Sequence, residues 1–292
     1  MRYNEPPTTL EEQIIRIRER GMTISQPEEA AAFLRRVGYY RFSGYALHYE
    51  IFENRKRTHQ FKAGSRFDDV IRLYRFDSRL RTILFNAIEM IEIAFRAQLC
   101  HVMALHSHDS HWLMNPDYFS NQFDHKKFLE TCKKETSRSR EIFIISYKEN
   151  YSDPFLPASW MLAEIISFGT WSRVFSGLED KKVQDDIASI FGLNQYFAES
   201  WLHTLTVIRN HCAHHSRIWN RTLTIKPKLT NRLKREYPAK SSGRNHIALI
   251  IEMINSMLKP IGKADEFQGN ISGLLDDFPD VPKKSMGFKA TE

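Results

Sequence analysis

From Arg66 to Leu105 the chain contains neither proline nor glycine, and Leu73, Phe76, Leu80, Ile83, Ala87, Ile91, Ala94 and Val102 recur along it at intervals of three and four. Gln98 is the one interruption of the series. That spacing places an apolar stripe on one side of a helix, and its length predicts one long helix packed lengthwise in a bundle. Arg72, Arg75 and Arg79 line another side of the same helix. Pairing with Asp68, Asp69 or Asp77 is the expected role of these arginines, and gripping an RNA backbone is the alternative.

The remaining signals are helical too. Thr9 with Glu12 reads as a capping box ahead of Leu10, Ile14 and Ile17, and Gly21 ends that run. A second helix is predicted from Ser25-Gln26-Pro27 to Gly38, followed by a Tyr-rich loop or short irregular segment. Further helices are expected at about Lys126 to Glu149, Pro157 to Leu178, Lys181 to Phe191, Tyr196 to Ala213 and Asn245 to Leu258. The best strand signal, Thr222 to Ile225, is too short to found a sheet by itself. The reading is all-α, without an internal repeat.

Composition narrows the class. With 292 residues, 42% of them hydrophobic and 26% charged, the chain can bury a sizeable core and does not resemble a disordered one. Cys100, Cys132 and Cys212 are few and scattered, which argues against a disulfide framework or a four-cysteine metal site and suits a reducing cytoplasm. The start, from Met1 to Pro7, lacks an apolar segment, and no stretch approaches the roughly 20 apolar residues of a membrane span. A cytoplasmic protein without a membrane anchor is therefore expected. The net charge of +7 is concentrated: Lys226, Lys228, Arg232, Lys234, Arg235, Lys240 and Arg244 share one polar stretch with only Glu236 opposing them. Such a local positive field suits RNA phosphates, the alternative being a solvated basic surface.

The chemistry is carried by Val207-Ile208-Arg209-Asn210-His211-Cys212-Ala213-His214-His215-Ser216-Arg217-Ile218-Trp219-Asn220. Arginine holds a phosphate with two parallel hydrogen bonds, and histidine exchanges a proton near neutral pH, so an Arg-Asn pair ahead of a His cluster has the parts of a phosphodiester-cleaving site. Trp201, Leu205, Ile208 and Cys212 form the stripe of this helix that faces the core, with Arg209 at its edge. Asn210 and His214 share a different face, where the carboxamide could fix the imidazole tautomer. Arg209 and His214 lie about 140° apart on an ideal helix, so they converge only if the helix ends near His214 or a second subunit completes the site. A zinc site from His203, His211, Cys212, His214 and His215 is disfavoured, because Cys212 belongs to the core stripe and no HExxH or CxxC pattern is present. No metal or other cofactor is expected.

The segment from Arg209 to His214 resembles the Arg-x4-6-His motif of the HEPN superfamily, and its longer wording through Arg221 is similar to the Abi-like branch, the bacterial abortive-infection proteins. Four further blocks carry the resemblance in the right order: Gly38 to Tyr45, Leu73 to Arg81 with Ala87 to Glu92, Pro157 to Gly169 with Trp160 and Glu164, and Met286-Gly287-Phe288. The resemblance implies a HEPN-type helical bundle over residues 61–225, with a helical extension over 1–60 and a basic and helical tail over 226–292. It also implies a metal-independent endoribonuclease that acts as a phage-defence toxin, with Arg209, Asn210, His214 and His215 in a composite site across a homodimer. An antitoxin partner, protein or RNA, is implied as well, and the basic stretch from Lys226 to Arg244 favours RNA. A non-catalytic RNA-binding protein whose Arg-His motif only grips phosphate is the rival.

Two other groups are candidates. Glu164 stands among Leu162, Ile165 and Ile166, where a buried carboxylate needs a partner; it either orients Arg209 or a histidine, or binds a structural arginine elsewhere. Tyr39 and Tyr40 beside Arg41 would suit stacking on unpaired bases, although core packing is the more usual role of such a cluster.

Overall fold

The computed structural model describes residues 4, 6–238 and 242–288. Among these the chain is all-α apart from one two-stranded hairpin, and it divides into two compact units, residues 1–79 with 277–281 and residues 80–276 with 282–292.

The first unit holds α1 (Leu10–Glu19), α2 (Pro27–Val37), α3 (Tyr39–Ala46), the strands β1 (Glu50–Glu53) and β2 (Lys56–Phe61), and the first turns of α4 (Phe67–Ser107). Thr9 and Glu12 form the capping box at the start of α1, each side chain accepting the other residue's backbone N–H. The Tyr-rich block is helical, not the predicted loop. Gly38, at φ 86°, ends α2 and lets α3 start at once, and Phe42, Tyr45 and Ala46 form its buried face. Phe42 stacks on Phe67 with ring centroids 4.5 Å apart, and the Tyr45 hydroxyl donates to buried Asp77 at 2.6 Å. Two of the three arginines named on α4 pair, but with other acids than expected: Arg72 with Asp280 and Arg79 with Asp277, each at 2.7 Å and each over the Phe278 ring, while Arg75 is exposed. Asp77 is buried under Tyr45 and Asp68 lies 3.4 Å from Arg66, so the partners come from the far end of the sequence.

The hairpin was not legible because β1 and β2 are mostly exposed and show no alternation, and its turn uses Asn54 and Arg55 at φ 49° and 65° where Asn-Gly would have been the signal.

The second unit holds the rest of α4 together with α5 (His125–Arg138), α6 (Ile142–Asn150), α7 (Ser159–Ile165), α8 (Phe168–Gly177), α9 (Lys181–Ser189), α10 (Gln195–Ala213), α11 (Asn231–Glu236), α12 (Ile247–Leu258) and α13 (Ala264–Asp277), whose last residue falls in the first unit. Of the predicted stripe, Leu73, Phe76, Leu80, Ala87 and Ile91 are buried, but Ile83, Ala94 and Val102 are only half-buried; the core face of α4 turns instead through Leu84, Ile88, Phe95 and Leu99, all sealed from solvent. Helix α10 packs on α8 and α9; Gly169 faces Thr206 so closely that a Cβ there would lie 3.1 Å from its methyl group.

Two predicted helices are each broken in two. Ser139 caps α5 in extended conformation and its hydroxyl accepts the Glu141 N–H, while Ile166 is extended between α7 and α8 and Ser167 caps α8. Serine competes for backbone bonds in this way without any proline to announce it. Thr222 to Ile225 forms no strand; Leu223 is buried, and its N–H donates to the Asn245 carbonyl at 2.7 Å. Helices α11 and α13 were not anticipated.

Candidate active site at the end of α10

Helix α10 ends at Ala213, as predicted, beside His214. His214 is the C-cap, with its N–H on the Asn210 carbonyl at 2.9 Å, and His215 takes the left-handed conformation at φ 54°. The His215 N–H reaches the Cys212 carbonyl and the Ser216 N–H the His211 carbonyl. These paired bonds make a Schellman turn with histidine in the place glycine usually takes. A histidine there is strained by the crowding of its Cβ.

Trp201, Leu205, Ile208 and Cys212 are buried as the stripe requires, and Arg209 at its edge is half-buried. The Arg209 guanidinium lies over the Phe85 ring at 5.5 Å, and its Nε stands 3.9 Å from an oxygen of Glu92. Glu92, 10% exposed in its side chain, also binds Arg96, whose guanidinium donates to the Ile166 carbonyl at 3.0 Å. One buried carboxylate of α4 is therefore shared by two arginines. Glu92 appeared in the sequence only within a family block; nothing in its spacing marked it as the partner of Arg209.

Arg209 lines an open cavity of about 350 Å³ together with Glu92, Arg96, Arg138 and Glu164. Glu164 is exposed rather than buried, because α7 buries Ser159, Leu162 and Ala163 instead, so the expectation of an obligatory buried partner fails. It nonetheless faces the cavity that Arg209 faces.

Asn210, His214 and His215 are exposed, and none of them lines that cavity. Among the described residues the bond linking Asn210 to His214 is the backbone one, not a carboxamide on the imidazole. His211, half-buried beside His214, has a lowered pKa: burial lowers it, and Arg221 and His214 push it the same way. Sequence reasoning had considered His211 only as a metal ligand. Among the described residues no group of three or more His, Cys, Asp or Glu side chains is placed to hold a metal ion.

The basic segment is partly neutralised. Arg232 pairs with Glu236 at 3.0 Å and with Glu252 at 3.5 Å, so Glu236 is not its only opponent; folding brings α12 alongside. The Lys228 ammonium sits 3.6 Å above the Tyr196 ring, and its carbonyl accepts the Trp201 indole N–H at 2.7 Å. Lys226, Lys234 and Arg235 are exposed, whereas Lys240 lies outside the described residues, as do Met1 to Tyr3 and Glu5. In the first unit Tyr40 is 92% exposed, Arg41 is exposed, and the half-buried Tyr39 hydroxyl accepts from Arg20 at 3.3 Å.

Among the described residues no helix is long and apolar enough to cross a membrane. No curated protein and no solved structure matches the chain. A family model does: the model described as Abi-like protein covers residues 32–220, from α2 through the cap of α10 and the Trp219-Asn220 pair that follows it. That span takes in the Tyr-rich helix, the buried stripe of α4, the Glu92 that Arg209 meets and the whole Arg-His segment, and on this match the chain belongs to the Abi-like protein family.

Proposed function

We propose that this protein is a metal-independent endoribonuclease of the HEPN type, acting as an abortive-infection toxin. Membership of the Abi-like family supports the phage-defence part of the reading. The observation that carries the chemistry is the end of α10: Arg209 opens onto a polar cavity while His214 stands exposed at the cap one turn later.

In this reaction a histidine takes the proton of a ribose 2′-hydroxyl, the oxygen attacks the adjacent phosphorus, and the 5′-oxygen leaves with a proton supplied by a second acid. A cyclic 2′,3′-phosphate remains. Arg209 stabilises the added negative charge on the five-coordinate phosphorus. His214 and His215 are the acid-base candidates, with Asn210 a hydrogen-bonding partner for substrate. His214 is absent from the wall of the cavity that Arg209 lines, which favours a homodimer in which two motif copies meet across a two-fold axis and supply the missing groups to one another. An RNA antitoxin holding the enzyme in check completes the proposal, and Lys226, Lys234 and Arg235 are the exposed cations best placed to contact such RNA.

Purified protein incubated with RNA in excess EDTA should yield fragments ending in cyclic phosphate, and the His214→Ala protein should yield none. Loss of cleavage on chelation, restored by zinc or magnesium, would replace this mechanism by a metal-dependent one. The second reading, a non-catalytic RNA-binding protein, draws on the engagement of Arg209 with Glu92 and Phe85, which suits a positioning charge as well as a reacting one. Tight RNA binding without any cleavage by the parent protein would decide for it.

A further inference from the structure

The cavity beside Arg209 has Thr131 and Thr170 in its wall, and both residues recur in the wall of a larger cavity of about 510 Å³. The two are adjoining chambers of one groove between α5, which supplies Thr131, and α8, which supplies Thr170. Each has a volume within the range of about 300 to 1,000 Å³ usual for small-molecule sites. Nothing in the Arg-His motif calls for the larger chamber.

Its wall combines two kinds of chemistry. Lys127 and Arg173 are exposed cations, and among the described residues neither is paired with a carboxylate. Asp124, the carboxylate nearby, caps α5 by accepting the Lys127 backbone N–H at 3.0 Å. Arg173 donates to the Thr170 hydroxyl at 3.2 Å, which holds its guanidinium at the junction of the two chambers. The aromatic part is Phe123. One side of its half-buried ring stacks on Phe119, centroids 4.6 Å apart, and Gly177 leaves room for it where any Cβ would overlap the ring. Phe123 is thus held in place by Phe119 and Gly177, and it lines the chamber beside the two cations.

Resting on the reading of Arg209 as a phosphate ligand, we infer that this groove binds the nucleotides of an unpaired RNA strand adjoining the phosphate held by Arg209. Arg173 and Lys127 take successive phosphates, and Phe123 supplies the face for a base. Stacking plus phosphate contact is the usual grip on single strands, and it needs bases that are not already paired.

The test uses the full chain carrying His214→Ala, in EDTA, with a fluorescent unpaired RNA decamer, a hairpin of the same composition and free AMP as probes. Lys127→Ser with Arg173→Ser should weaken decamer binding at least tenfold and reduce the salt slope by about 1.4, roughly 0.7 for each lost single-strand phosphate contact. Phe123→Ala should weaken it without changing the slope, and the hairpin should bind poorly throughout. Equal decamer affinity in parent and double variant overturns the groove, and so does AMP competing as well as the decamer, which would make the chamber a mononucleotide pocket. Cleavage by the protein with His214 intact is measured separately. Absent cleavage with the binding differences present sinks the ribonuclease reading and leaves the groove standing; cleavage with equal binding does the reverse.

Discussion

Arg209 meets Glu92 at 3.9 Å, an ion-pair distance but not a hydrogen bond, and the Arg209 Nε, though shielded from solvent, has no hydrogen-bond partner among the described residues. Glu92 is bound more closely by Arg96. The carboxylate therefore has one firm partner and one loose one, and the loose one belongs to the motif. A guanidinium positioned by charge and by the Phe85 ring, yet not locked by two parallel bonds, retains its planar donor edge for a phosphate.

That asymmetry predicts unequal costs. Glu92→Ala leaves two guanidinium groups without their carboxylate and should lower unfolding stability by about 3 kcal/mol, as breaking a buried pair does. Arg209→Ala leaves Glu92 with Arg96, and because Arg209 is 37% exposed in its side chain the loss should stay below about 1 kcal/mol. Urea unfolding of both proteins checks this; equal losses would mean that Arg209 is part of the structural pair.

Arg209→Lys should lose cleavage almost as fully as Arg209→Ala, since lysine keeps the charge and loses the fork that matches a phosphate. His214→Ala should lose it as well, with stability changed by no more than about 0.5 kcal/mol because the side chain is exposed. Wild-type turnover in either Arg209→Lys or His214→Ala would remove that residue from the mechanism.

His215→Gly tests whether the strained cap has a chemical use. Glycine adopts φ 54° without a Cβ, so the substitution should raise stability by about 0.5–1 kcal/mol. Cleavage should fall at the same time, because function and strain would share the residue. A more stable protein of unchanged activity would make His215 a structural accident.

His211 gives a pH dependence of known sign. Its folded pKa lies below the ordinary value of about 6.5, so the unfolded chain binds the proton more tightly. Its contribution to stability is complete above about pH 6.5 and is lost as pH falls through the folded pKa. Comparing His211→Gln with the parent by thermal unfolding between pH 7.5 and 5 should show a shallower acid loss in the variant; parallel curves would contradict the assignment.

What the sequence determined by itself is what depends on neighbours in the chain. The length of α4, the capping box of Thr9 and Glu12, the helix from Pro27 and the core face of α10 follow from residues within a few turns of one another. So does the arrest of α10 beside His214, where the motif was expected to end its helix. The breaks at Ser139 and Ile166 depend on local bonds too weak to outweigh helix periodicity in the sequence, and become visible only once the flanking helices are placed. Tertiary structure alone decided the partners. Glu92 reaches Arg209 because α4 and α10 bring their turns together, Glu252 reaches Arg232 from another helix, and the chambers beside Arg209 exist only where α5 meets α8. Charge pairing and cavity shape depend on distance in space, and residues from 20 (Arg232 and Glu252) to 117 positions apart (Glu92 and Arg209) carry no periodic signal of it.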